Sequence, residues 1–143
     1  MVVEDQTEVG SYFVATYPPF SVWKKEYVAR DARPALHAPP APSVPLGVYL
    51  HIPFCRKRCH FCYFRVYTDK NAQEDNDYLD VLAREWALYT QLPAIADRPI
   101  NFVYFGGGTP SFLSTRQLGG LVTRLSAATP WRDGAEITFE CEP

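Results

Sequence analysis

The sequence predicts an α/β fold with parallel strands, and three observations carry that reading. Apolar runs of strand length alternate with longer stretches of helical periodicity, in the order strand, helix, strand, helix, strand. Strands joined through crossover helices run parallel. Each strand then opens into chemically useful residues: cysteines after the first, glycines after the second, a glutamate near the end of the third. Parallel α/β folds build their sites along the carboxyl edge of the sheet, so these three features are expected to meet.

Residues 1–44 read as an arm and linker, and residues 45–143 as the domain. Tyr12, Phe13, Tyr17, Phe20 and Trp23 make the arm strongly aromatic; such a stretch packs against the domain or offers a partner surface. Pro34, Pro39, Pro40, Pro42 and Pro45 predict a stiff, extended linker. The first strand covers residues 46–52, apolar and β-branched, and Pro53 ends it. Residues 63–75 read as irregular. A helix is expected over 76–92, with Leu79, Leu82, Trp86 and Tyr89 on its inward face, closed by Pro93.

The second strand, 100–105, is apolar enough for burial on both faces, and it breaks at Gly106-Gly107-Gly108-Thr109-Pro110. A second helix starts near Thr115, where Ser114 and Gln117 have the spacing of a capping box. Leu118, Leu121, Val122 and Leu125 form its inward stripe, and Gly119 and Gly120 suggest close packing against a strand. The third strand, 136–142, alternates Ile137, Phe139 and Cys141 with Thr138, Glu140 and Glu142. Cys141 is therefore expected to be a small buried hydrophobe facing away from Glu140.

At 143 residues the chain is one domain's worth at most, and its net charge of −2 gives no electrostatic case for nucleic acid or a membrane surface. The start, residues 1–10, is acidic and polar, unlike a signal peptide, and no apolar run approaches the ~18 residues that span a bilayer. A cytoplasmic, reducing location is the default expectation.

Three of the four cysteines, Cys55, Cys59 and Cys62, fall within eight residues as Cys-x-x-x-Cys-x-x-Cys. Cysteines this crowded hold metal in most reducing contexts, because thiolates suit iron and zinc. An iron–sulfur cluster with one iron left open, a zinc site completed by His51 or His60, and a disulfide with one cysteine left over all remain compatible with the spacing. The triple glycine allows a ligand close to the backbone, or simply makes a tight turn; it lacks the lysine of a P-loop. Glu140 reads as a rim carboxylate or as an acceptor for ribose hydroxyls. Arg56, Lys57 and Arg58 read as a solvated loop or as a docking point for an acidic electron donor. Trp86 and Trp131 read as packing residues.

Cys55, Cys59 and Cys62, with the aromatic Phe61 before the last of them, resemble the signature of the radical S-adenosylmethionine (radical SAM) superfamily. The longer string Tyr49-Leu50-His51-Ile52-Pro53-Phe54-Cys55, the Gly-Gly-Gly-Thr-Pro segment, and Glu140 followed by Pro143 are similar to the branch containing oxygen-independent coproporphyrinogen III oxidase. The resemblance implies a 4Fe–4S cluster on the three cysteines, with SAM bound through its amino and carboxylate groups to the fourth iron. It implies contacts to SAM from Tyr49, Phe61, Gly107, Gly108, Thr109 and Glu140. It implies a small redox protein as electron donor, reductive cleavage of SAM to methionine and a 5′-deoxyadenosyl radical, and a porphyrinogen substrate that loses carbon dioxide in haem biosynthesis. The implied architecture is the first half of a partial (β/α)6 barrel, so the chain is expected to be the N-terminal portion of such an enzyme, inactive by itself. Phe64 stands where the established oxidases carry a further cysteine. Haem chaperones of the same branch, and radical SAM methylases or cyclopropanases, would share all three motifs.

Overall fold

The computed structural model of the chain describes residues 23–40, 43–62 and 64–142. By packing, the chain divides between Ala35 and Leu36. In the first unit a helical turn α1 (Lys25–Tyr27) runs through a π-helical turn (Val28–Ala32) towards α2 (Arg33–His37). Pro34 therefore lies within a helix rather than in an extended linker, and the wider π turn directly precedes it. A proline lacks the N–H of a regular helix and crowds the carbonyl four residues back, which favours such a turn. Of the aromatic arm only Trp23 is described, and it is exposed; residues 12–22 lie outside the described residues.

The second unit carries the expected order: β1 (Leu46–Ile52), α3 (Ala72–Tyr89), β2 (Ile100–Gly107), a 3-10 turn (Pro110–Phe112), α4 (Thr115–Ala128) and β3 (Trp131–Phe139). The sheet is parallel throughout, in the order β1-β2-β3. Leu50, Phe105 and Phe139 stand in register across it, as do Tyr49, Tyr104 and Thr138.

Five element boundaries move from the sequence reading, each for a local reason. α3 begins four residues early because Asn71 caps it: its side chain accepts from the Gln73 and Glu74 amides, and Glu74 reaches back to the Asn71 amide. It ends at Tyr89, where the chain tightens into turns through Gln91 N–H to Leu88 O and Leu92 N–H to Tyr89 O, and Tyr89 itself is exposed. β2 runs on to Gly107 by pairing with Ile52. β3 starts at Trp131, opposite Ile100, and bulges between there and Glu136, where Gly134 takes φ +74. Its last rung is Glu140 N–H to Phe105 O, and Glu142 N–H then turns to Ser111 Oγ. Glu140 and Cys141 therefore lie just past the strand, and Cys141 is exposed, not buried.

The core fills one face of the sheet. Val48, Leu50, Ile52, Val103 and Phe105 pack against Leu79 and Trp86 of α3 and Leu121 and Leu125 of α4. Trp86 donates from Nε1 to Leu125 O across the two helices. Leu118 and Val122 pack at the margin. The glycine pair does not serve close packing: a Cβ at Gly119 or Gly120 would meet nothing within 4 Å. Nor is β2 buried on both faces. The side opposite the helices carries Tyr49, Phe102 and Tyr104, with Tyr49 55% and Phe102 45% exposed. Phe102 lies across Gly47, occupying the space a side chain there would need. No helix among the described residues is long and apolar enough to cross a membrane.

Candidate active site at the carboxyl edge of the sheet

The loop after β1 is anchored before it turns outward. Cys55 N–H donates to Tyr67 O at 3.0 Å and Tyr67 N–H to Pro53 O at 2.8 Å, so the two ends of the excursion are tied together. Phe54 sits edge-on to Tyr78, whose hydroxyl donates to His51 O at 2.7 Å. These bonds place Cys55 in the interior, 8% exposed. Cys59 is exposed and Cys62 half-buried on the outward turn, which closes through Cys62 N–H to Cys59 O; Arg58 donates to Cys62 O at 2.9 Å. Phe61, at the tip, is 74% exposed.

The glycine segment is stitched to this loop. Gly108 N–H donates to Ile52 O and Thr109 N–H to Phe54 O, both at 2.8 Å. The Thr109 hydroxyl reaches Cys55 Sγ at 3.2 Å. Gly108 has to be glycine: a Cβ there would stand 2.8 and 2.9 Å from the Phe54 and Ile52 carbonyl oxygens and 3.0 Å from Cys55 Sγ. Gly107 has φ +113, and a side chain on it would strike the His51 ring.

Glu140 closes the edge. Its Oε1 accepts from the Tyr104 hydroxyl at 2.7 Å, and its Oε2 accepts from Gly107 N–H at 3.2 Å. The hydrogen bond to Glu140, and the carboxylate's charge, push the Tyr104 phenol up from its usual pKa. Tyr104 stacks on Tyr49 with ring centroids 5.7 Å apart, and the Tyr49 hydroxyl lies 3.4 Å from His51 Nδ1. A cavity of about 390 Å³ opens beside Thr109, lined by Arg56, Ser111, Phe112 and Glu142.

The structure thus brings together Cys55, Gly108 and Thr109, and separately Tyr49, Tyr104, Gly107 and Glu140, along one edge. It leaves Phe61 outside both groups. Among the described residues no three His, Cys, Asp or Glu side chains are gathered as a metal site. The donor set nevertheless fits a thiolate-held cluster in kind. Cys55, Cys59 and Cys62 are all free thiols on one loop. Neither Tyr104 nor the Thr109–Cys55 contact is marked by a sequence motif. Strand parity alone could have found Tyr104, since it stands two residues before Gly106 on the same face.

No protein-family model matches the chain. Oxygen-independent coproporphyrinogen III oxidase of Synechocystis is 33% identical over 90% of this chain and 27% of its own length. The protein of the same name from Mannheimia haemolytica is 34% identical over 90% of this chain and 85% of its own length. A haem chaperone HemW from Buchnera aphidicola matches 69% of the chain at 34% identity, over 26% of its own length. Among solved structures, Escherichia coli coproporphyrinogen III oxidase (HemN), described as a radical SAM enzyme, superposes with a TM-score of 0.67 at 28% identity, over 87% of this chain and 28% of that one. The chain spans about a quarter of the length of the Synechocystis relative. A relative 34% identical over 90% of this chain and 85% of its own length, together with the structural match to a radical SAM enzyme, places this chain in the oxygen-independent coproporphyrinogen III oxidase family of radical SAM enzymes.

Proposed function

We propose that this chain carries the cluster- and SAM-binding part of an oxidoreductase that acts on a porphyrinogen, in the manner of coproporphyrinogen III oxidase. The observation that carries the reading is the meeting of Cys55, Gly107, Gly108, Thr109 and Glu140 at one sheet edge. Cys55, Cys59 and Cys62 would hold a 4Fe–4S cluster, which when bound supplies the electron that breaks the sulfur–carbon bond of SAM. The chain's own residues bind and orient. Gly107 and Gly108 admit SAM close to the backbone, where carbonyl oxygens can accept from its ammonium group. Glu140, held at both oxygens by Tyr104 and Gly107, is oriented to accept from ribose hydroxyls. Tyr49, Phe61 and Thr109 complete the SAM contacts. The open face of Tyr49, Phe102 and Tyr104 offers aromatic surface suited to pyrrole rings. Arg56, Lys57 and Arg58, exposed on the cysteine loop, suit the approach of a small acidic redox protein. Four free thiols suit a reducing, cytoplasmic setting.

A second reading, a haem chaperone, is favoured by Phe64 in place of a further cysteine and by the likeness to HemW. The full-length protein, incubated anaerobically with coproporphyrinogen III, reductant and SAM, should release 5′-deoxyadenosine together with the decarboxylated porphyrinogen. Haem binding without turnover of coproporphyrinogen would establish the chaperone reading instead. Glu140→Ala should weaken SAM binding roughly tenfold or more while leaving iron content intact, the scale of a lost charge-assisted hydrogen bond. Equilibrium dialysis of the reconstituted variant measures this, and unchanged affinity with full iron would reduce Glu140 to a rim charge.

A further inference from the structure

We propose that Thr109 is a positioning residue for the first cluster ligand: its hydroxyl donates to the Cys55 sulfur and so sets how readily a cluster held there is reduced. The inference rests on the proposed function, since it concerns the same cysteine loop. Thr109 and Cys55 are both buried, 7% and 8% exposed, although 54 residues separate them in sequence. The Thr109 Oγ1–Cys55 Sγ distance is 3.2 Å, within range for sulfur as acceptor. The hydroxyl has one proton and a second acceptor, Glu142 Oε2, at 3.5 Å. The sulfur contact is both the shorter and the buried one, and the hydroxyl's hydrogen bond is assigned to it.

The donor cannot drift away. Thr109 N–H is bonded to Phe54 O and Gly108 N–H to Ile52 O, so the threonine backbone is fixed to the strand that leads into Cys55. Cys55 is fixed in turn through Tyr67 O. Hydrogen bonds to the sulfurs are among the levers by which a protein sets the potential of an iron–sulfur centre. A donor favours the more negative member of a redox pair, here the reduced one. The step concerned is a one-electron reduction by an external reductant; no bond breaks, and Thr109 keeps its proton throughout. Thr109 thus acts on Cys55 through its hydroxyl, a role beyond the SAM contact proposed for it.

The test compares Thr109→Val, which keeps the shape and removes the donor, with Thr109→Ser, which keeps the donor. Each is reconstituted anaerobically in the full-length protein, assayed for iron and sulfide, and titrated with dithionite against mediator dyes while the reduced cluster is followed by electron paramagnetic resonance. Thr109→Val should make reduction about tenfold less favourable, a midpoint about 59 mV more negative for one electron, with Thr109→Ser close to wild type. Iron lost from Thr109→Val but kept by Thr109→Ser would equally support the role, because the hydroxyl would then be needed for Cys55 to hold its iron. A fully loaded Thr109→Val with a wild-type midpoint overturns it, as does iron lost from both variants. Wild-type protein that takes up no cluster would instead count against the proposed function itself.

Discussion

Alanine at Cys55, Cys59 or Cys62 should each abolish reductive cleavage of SAM, whereas Cys141→Ala should leave it intact. The three loop positions differ in setting but share one outcome. Cys55 is locked between Thr109 and the Tyr67 carbonyl, while Cys59 and Cys62 ride on the outward turn. Removing any one thiolate would leave an iron of the proposed cluster without its ligand, and the stability and potential of such a centre follow from its ligation. Cys141 lies beyond the last rung of β3, exposed, its Sγ 3.8 Å from Phe139 O. Its loss falls in the class of surface changes, within about 0.5 kcal/mol of neutral. The measurement is 5′-deoxyadenosine formed with dithionite under strict anaerobiosis, without any porphyrin. A silent Cys141→Ala beside an active loop variant would overturn the ligand assignment.

Gly108→Ala should be strongly damaging. The added carbon would press on two carbonyl oxygens and on Cys55 Sγ at once. The carbonyls are those that accept from Gly108 and Thr109, so neither can swing aside without breaking the link between the glycine segment and the cysteine loop. Overpacking of this kind costs about 1–3 kcal/mol. Displacement of Cys55 should also cut iron uptake on reconstitution. Gly119→Ala and Gly120→Ala provide the contrast. Both lie on the open side of α4 with clear space around them, and each should raise stability by about 0.5–1 kcal/mol through helix propensity. Urea unfolding of the three variants, alongside iron content, separates the cases; a neutral Gly108→Ala would mean the edge is loose enough to absorb the methyl.

Much of the fold was legible in the sequence, because strand length, helix period and proline punctuation are local signals. β1 came out at its observed bounds. The Ser114–Gln117 box fixed the start of α4, and Gln117 N–H does donate to Ser114 Oγ. The equivalent Asn71–Glu74 box was as plainly present and would have placed the start of α3. The third strand was legible but its bounds were not, since its extent is set by pairing with β2 and by the bulge around Gly134 rather than by its own alternation. For the same reason Cys141 could not be placed: parity holds only while the strand lasts. At the site, topology was enough to bring the cysteine loop, the glycines and Glu140 to one edge. The contacts that give the edge its chemistry, Tyr104 to Glu140 and Thr109 to Cys55, join residues 36 and 54 positions apart. No spacing rule reaches that far.

The tie between Cys55 and Tyr67 bears on how iron gets in. Closing the base of the excursion costs its loop entropy once, when the chain folds, and not again when metal arrives. Cys59 and Cys62 then remain tethered a few residues from a thiol that is already in place. Any metal the outward pair captured would be presented to Cys55 as an intramolecular partner, at an effective concentration on the order of millimolar rather than that of free iron in the cell. Iron entering the proposed cluster site would therefore meet the solvent-facing turn first and the buried Cys55 last.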